Sequence, residues 1–268
     1  MLEVKRVQFL HFGAQCPWQA WMKEQAREAA GLLGADFETV DVTGRPELAA
    51  RHNMFFPFLT VINGLLRFPA PATARRLVEL ARDGVSHCVQ LPERMSRAVQ
   101  GDRLRRLTPR AVAQACSVCV PAGFPPDGQR LKQAWAEAMA LRVKGGDLGL
   151  LLFDGGRPVA ALEHLPSGLV PYPLPRKEPS LGFITCVYSR GNGLDYRPQV
   201  METFLRQAHR HGYGEVQVVA GRTAPHPNGP AAFFIRHGFR ELASLGPIVL
   251  EDGYDQMVLL GRETGRRR

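Results

Sequence analysis

The chain has 268 residues, 45% hydrophobic and 22% charged, with a formal net charge of +9. It holds enough apolar material for substantial cores, and its length favours two modest domains over one. No apolar run is long enough to span a bilayer, MLEVKRVQFLHFG lacks a signal-peptide core and cleavage site, and five cysteines make no disulfide framework.

Basic residues are interleaved with acidic ones except in the terminal GRRR. The expectation is therefore a cytoplasmic protein with no nucleic-acid and no membrane partner. In chain order, VKRVQFLHF alternates as a strand does, and PWQAWMKEQAREAAGLL has helical spacing and stops at Gly34. DFETVDV predicts a strand and PELAARH a short helix opened by proline. PFLTVI and LLRF flank Asn63-Gly64, a hairpin signal because both residues tolerate positive φ. ATARRLVELAR closes a β-α-β-α-β-β-α series.

That series resembles a thioredoxin-fold domain over residues 1–84. The resemblance places Cys16 of FGAQCPWQAW at the nucleophile position and Pro57 at the cis-proline position. Gln19 stands where the resolving cysteine belongs, so an intramolecular dithiol cycle is not expected. A helix start lowers a thiol pKa, which would make Cys16 reactive; the alternative is a packing residue in a docking or dimerisation module.

Residues 85–101, polar and proline-bearing, suit a connector. Cys116 and Cys119 form half of a zinc pattern that His87 and Cys88 could complete, but their alanine- and valine-rich surroundings favour buried thiols, so no metal is expected. DRLRRLT then predicts a strand, PRAVAQACSVCV and DGQRLKQAWAEAMALRVK two helices, and DLGLLLFDGGRPVAALEHLPSG a hairpin at Asp154-Gly155-Gly156. LGFITCVY, a helix METFLRQAHRHG, GEVQVVAG, NGPAAFFIRHGF and YDQMVLLGR complete a mixed sheet with helices on it.

From GRPVAALEHLP through FITCVYSRGNG to NGPAAFFIRHGF, residues 102–268 resemble a GNAT-superfamily acyltransferase. The combined expectation is an α/β and α+β protein: a thioredoxin-like domain followed by a GNAT-like mixed-sheet acyltransferase domain. The resemblance implies acetyl-CoA as donor and an amine, small or on a protein, as acceptor, with a homodimer left open. It implies a pantetheine strand at Cys186, Val187 and Tyr188, and a pyrophosphate loop of Arg190, Gly191, Asn192, Gly193, Leu194 and Asp195, or in a second register Leu194 to Gln199, where Pro198 removes one amide, with Asn228 and Phe234 also lining the donor site. Asp195 departs from the family's glycine or alanine; the carboxylate either opposes the phosphates or caps the following helix. Phe234 stands where the family often has an acidic tyrosine. Acyl transfer needs a base and an acid. Glu163 is the candidate base, Tyr188 and Tyr254 candidate acids, with Cys16 a further candidate reactive group; Glu163 or His164 pairing with a surface arginine is the plainer alternative. A non-catalytic CoA-binding or redox-sensing module built on Cys16 is the alternative function.

Overall fold

The computed structural model describes residues 3–85, 88, 97–190, 193–224, 228–250 and 253–265. The first unit is a four-stranded sheet of β1 (Arg6–His11), β2 (Asp36–Asp41), β3 (Phe58–Ile62) and β4 (Leu66–Phe68), in the order β2-β1-β3-β4. β1 is parallel to β2 and antiparallel to β3. Helices α1 (Gln19–Leu33) and α3 (Ala74–Asp83) pack together on it, and α2 (Pro46–Arg51) lies between β2 and β3. Local chemistry sets these boundaries. Gly34 closes α1 in the left-handed conformation, φ +64. Thr73 caps α3 by accepting the Arg76 amide at 3.3 Å. Asn63 and Gly64 take φ +51 and +73 in the β3–β4 turn, and Asn63 Oδ1 accepts the Lys5 amide at 2.8 Å.

The second unit is a seven-stranded sheet ordered β12-β13-β11-β9-β8-β7-β6. Its strands are β6 (Arg103–Arg106), β7 (Gly149–Asp154), β8 (Arg157–Pro166), β9 (Leu181–Ser189), β11 (Glu215–Gly221), β12 (Arg240–Leu250) and β13 (Gly253–Glu263). Neighbours are antiparallel except β9 and β11. Helices α6 (Arg197–Gln207) and α7 (Ala231–Arg236) contribute to the apolar cluster on one side of this sheet. Helix α4 (Val112–Cys119) contributes to the cluster on the other, and α5 (Pro126–Ala140) packs beside it. A short parallel pair, β5 (Arg97–Ala98) with β10 (Leu194–Asp195), lays the connector against the segment before α6.

β12 is the longest element that periodicity did not predict, beside the two-residue β5 and β10. It contains Gly246-Pro247, its face is largely exposed, and its pairing slips between Glu241 and Ala243 and between Ser244 and Gly246. An edge strand tolerates proline and bulges, which erase the alternating signal.

The two units share one apolar cluster, in which Leu10, Phe12 and Phe56 meet Val112, Leu151 and Phe183. Trp18 packs on Phe124 with ring centroids 4.5 Å apart, and the Tyr172 hydroxyl donates to Gln15 Oε1 at 3.2 Å. Gly128 in α5 touches the backbone of Pro17: a Cβ there would lie 1.9 Å from the Pro17 carbonyl oxygen.

Candidate active site

The site begins where two parallel strands part. β9 and β11 pair from Leu181↔Glu215 to Ile184↔Val218 and no further, although β9 continues to Ser189 beside β8. At the same level Glu163 faces Cys186 while His164 faces Ile184, so Thr185 is an extra residue bulging from β9. The divergence leaves backbone groups to be satisfied, and Asn228 does this: its Oδ1 accepts the Val187 amide at 2.9 Å and its Nδ2 donates to the Val219 carbonyl at 3.3 Å. Asp255 steadies the segment after β11 by accepting the amides of Thr223 and Ala224 at 2.9 and 2.8 Å.

A cavity of about 420 Å³ opens at this divergence. β9 lines one side from Phe183 to Ser189, and Cys16, Trp18, Phe56 and Pro57 of the first unit line the opposite side. At its centre Lys132 Nζ lies 2.5 Å from Glu163 Oε1, and the Tyr188 hydroxyl donates to the same oxygen at 2.7 Å. Both charged side chains are only 5% exposed, so the pair is buried. Burial alone would lower the Lys132 pKa, but the Glu163 carboxylate, with Cys116 and Cys119 adding to it, holds the ammonium above its usual range. Burial, followed by the Glu163 charge, raises the Tyr188 phenol well above its ordinary value. Glu163 is the candidate base, or on the plainer expectation the partner of a surface arginine; its partner is instead a buried lysine supplied by α5. His164 points elsewhere. It is buried beside Phe204 and Tyr213, accepts or donates with the Tyr213 hydroxyl at 3.2 Å, and is pushed down to about 3 by burial and then by His211.

The glycine turn leads to the start of α6. Gly193 has φ +74 and its carbonyl accepts the Arg97 amide at 3.0 Å. Asp195 does not stand unbalanced beside a phosphate site. Its Oδ1 accepts the Arg197 amide at 3.0 Å and Arg197 Nε at 2.8 Å, and its Oδ2 accepts Arg197 Nη2 at 2.9 Å. The Tyr196 amide donates to Ser189 Oγ at 3.1 Å, and Pro198 has no amide hydrogen. The start of α6 thus consumes its own donors at 196–198. Arg190 lines the cavity, donating from its guanidinium to the neutral Ser117 carbonyl at 3.0 Å.

Asp195→Gly is therefore expected to remove both an ion pair and a helix-start contact, lowering stability by about 2 kcal/mol and Tm by about 4–8 °C. An unchanged melting curve would show that the Asp195–Arg197 contact does not support α6.

Cys16 is half-buried on the cavity wall, with its carbonyl accepting the Gln19 amide at 3.2 Å. The activated thiol expected from a helix start is not what the site produces. Burial pushes Cys16 up to about 11, against the opposing influence of Lys132 and the Trp18 amide. Cys119 and Cys186 line the same cavity and are also raised, in each case by burial first. Iodoacetamide at neutral pH should accordingly label exposed Cys88 first and Cys16 more than about tenfold more slowly, with Cys16 labelling accelerating as pH rises toward 11. Preferential labelling of Cys16 at neutral pH, followed by peptide mapping, would contradict the burial argument.

Other expected site residues separate into those at the cavity and those away from it. Cys186, Val187, Tyr188, Arg190, Leu194, Asp195 and Asn228 line it with Glu163 and Cys16. Gly191, Asn192 and His87 lie outside the described residues. Tyr254 is a correction: it is 40% exposed at the start of β13 and bridges Cys88, because strand alternation turns its neighbour Asp255 inward instead. Phe234 is another, fully buried among Phe233 and Phe239 on the α6–α7 side rather than at the cavity. Among the described residues the one cis peptide precedes Pro230, so Pro57 lines the cavity after a trans bond.

Lys132 and Arg197 were missed. Lys132 had a signal: it falls on the stripe of Gly128 and Ala136, the buried face of α5, where an unpaired ammonium is costly. Arg197 had only its position at the start of a helix.

No protein-family model and no curated protein sequence matches the chain. Similar solved structures include the acetyltransferase of GNAT family from Streptococcus pneumoniae, at 15% identity and TM-score 0.42, covering 61% of this chain and 99% of that one. The ribosomal-protein-alanine N-acetyltransferase from Brucella melitensis is 11% identical with TM-score 0.44, covering 60% and 99%. The yncA structure from Salmonella typhimurium, with its cofactor acetyl-CoA, is 15% identical with TM-score 0.42, covering 62% and 95%. Likeness at this level does not assign a function to this chain.

Proposed function

We propose that the protein is an acyl-CoA-dependent N-acetyltransferase, with a GNAT-like second unit that binds acetyl-CoA and a thioredoxin-like first unit that walls the acceptor side. The observation that carries this reading is the parting of β9 from β11, stabilised by Asn228, directly beside a cavity that contains a buried Lys132–Glu163–Tyr188 cluster. A thioester arm lying along residues 186–189 of β9 would bring its acyl group to that cluster. Arg190 and the turn before α6 would face the pyrophosphate, where guanidinium charge replaces the amides that α6 has already used. Tyr188 retains its proton at neutral pH and is the acid for the departing thiolate; Glu163, with Lys132, positions that phenol.

The β2-β1-β3-β4 order supports the thioredoxin-like part of the reading. Gln19 and the raised Cys16 thiol argue against a dithiol cycle there, leaving the unit as cavity wall.

Acetyl-CoA should raise the melting temperature, since a ligand at 100 times its Kd stabilises the folded state by about 2.7 kcal/mol. It should also slow hydrogen exchange at residues 193–195. No thermal shift and no protection at saturation would remove the donor-site reading. Binding without turnover on an amine panel would instead favour a non-catalytic CoA-binding module, a role in keeping with the self-satisfied start of α6.

A further inference from the structure

The cavity's charges constrain the acceptor. Both carboxylates that line it are already matched by internal cations, Glu163 by Lys132 and Asp195 by Arg197. Arg190 adds a third positive side chain whose guanidinium contact is to a neutral carbonyl. No histidine is among the described lining residues, and Tyr172 and Tyr188 direct their hydroxyl hydrogens to Gln15 and Glu163. An alkylamine would thus enter as an ammonium and find, among the described residues, no unengaged carboxylate or imidazole to hold or deprotonate it. Much of the remaining lining is apolar, and its aromatic part comes from both units: Trp18, Phe55, Phe56 and Phe58 from the first, Tyr172 and Phe183 from the second. Aromatic faces can hold a cation, but they take no proton from it, so a nitrogen held there stays an ammonium with no lone pair for attack.

We propose that the acceptor is a small, weakly basic aromatic amine, of the aniline type, that enters uncharged and stacks between the aromatic side chains of the two units. This rests on the N-acetyltransferase reading and adds the acceptor's chemical class to it. The ring draws the nitrogen lone pair into conjugation, so such an amine is neutral at pH 7. An alkylamine resembles lysine, with a pKa of about 10.4, and fewer than roughly one molecule in 10³ is neutral there. The neutral nitrogen attacks the thioester carbonyl, a C–N bond forms and the C–S bond breaks. Tyr188 gives its proton to the departing thiolate and recovers one from the nitrogen, yielding the N-aryl acetamide and CoA thiol. No protein base is required to neutralise the amine before attack, which agrees with described lining residues that offer none unpaired.

The test uses the full-length wild-type protein, acetyl-CoA, and three acceptors: aniline, benzylamine and a lysine-containing peptide. Benzylamine keeps the ring but makes the nitrogen a strong base. At pH 7, kcat/KM for aniline should exceed that for benzylamine at least about tenfold. It should stay flat between about pH 6.5 and about pH 9, while the benzylamine value climbs as its neutral fraction grows. Equal or better turnover of benzylamine or of the peptide overturns the acceptor class and leaves the transferase reading standing. Acetyl-CoA that binds, by calorimetry, yet acetylates no aniline also overturns it. Failure of acetyl-CoA to bind removes both readings together.

Discussion

Lys132→Met is expected to be among the most damaging single substitutions in the second unit, lowering stability by about 3–5 kcal/mol because it leaves the Glu163 carboxylate buried without its cation. For a chain of this size that corresponds to a fall in Tm of roughly 10 °C. The variant should also acquire a pH dependence. An unpaired buried carboxyl has its folded pKa raised above the unfolded one, so the variant's stability is fullest at low pH and declines as pH rises through the folded value. In the wild type the sign applies to the lysine. Its folded pKa is raised, so its contribution is fully present below the ordinary value of 10.5 and is lost only at strongly alkaline pH. Lys132→Met combined with Glu163→Gln removes both charges and should recover most of the lost stability. Denaturant melts of the single and double variants at acid and neutral pH decide the matter. A single variant as stable as the wild type, with a flat pH profile, would mean that the pair does not secure the cavity.

The difference between what sequence reveals and what only the fold reveals is clear around this pair. Helical spacing makes α5 predictable, and a run of apolar residues makes β8 predictable, because both follow local periodicity. The Lys132–Glu163 contact follows from neither. It depends on α5 packing beside α4, which lies on β8, and so bringing together residues 31 positions apart, a tertiary fact. Asp195 illustrates a middle case. Its capacity to hold the start of a helix is a local property and was foreseeable, whereas its bidentate pairing with Arg197 turns on how the side chain leaves the turn. The same limit explains Cys16. A position before a helix suggests an activated thiol, but burial on the cavity wall dominates, and that burial is a property of the assembled pair of units. Tyr254 and Phe234 fail for a simpler reason: neither lines the cavity, Tyr254 because it is turned out on its strand and Phe234 because it is packed on the far side of the sheet.

Gly128→Ala tests whether the two units share a task. The added Cβ would lie 1.9 Å from the Pro17 carbonyl oxygen and 2.9 Å from the Pro17 carbonyl carbon, both backbone atoms that no rotamer change can move. Relief requires the first unit to withdraw from α5 by more than about 1 Å, with an overpacking cost of about 1–3 kcal/mol. Trp18, which follows Pro17 and packs on Phe124, must move with it, and so must Cys16. The features proposed to hold the donor, β9, Asn228 and Arg190, belong to the second unit and keep their contacts. The expected result is an acceptor KM raised severalfold, with acetyl-CoA affinity nearly unchanged and hydrogen exchange increased around residues 15–18. An unchanged KM in a variant whose exchange has increased there would show that the first unit does not touch the acceptor. Loss of acetyl-CoA affinity would place the first unit on the donor side instead.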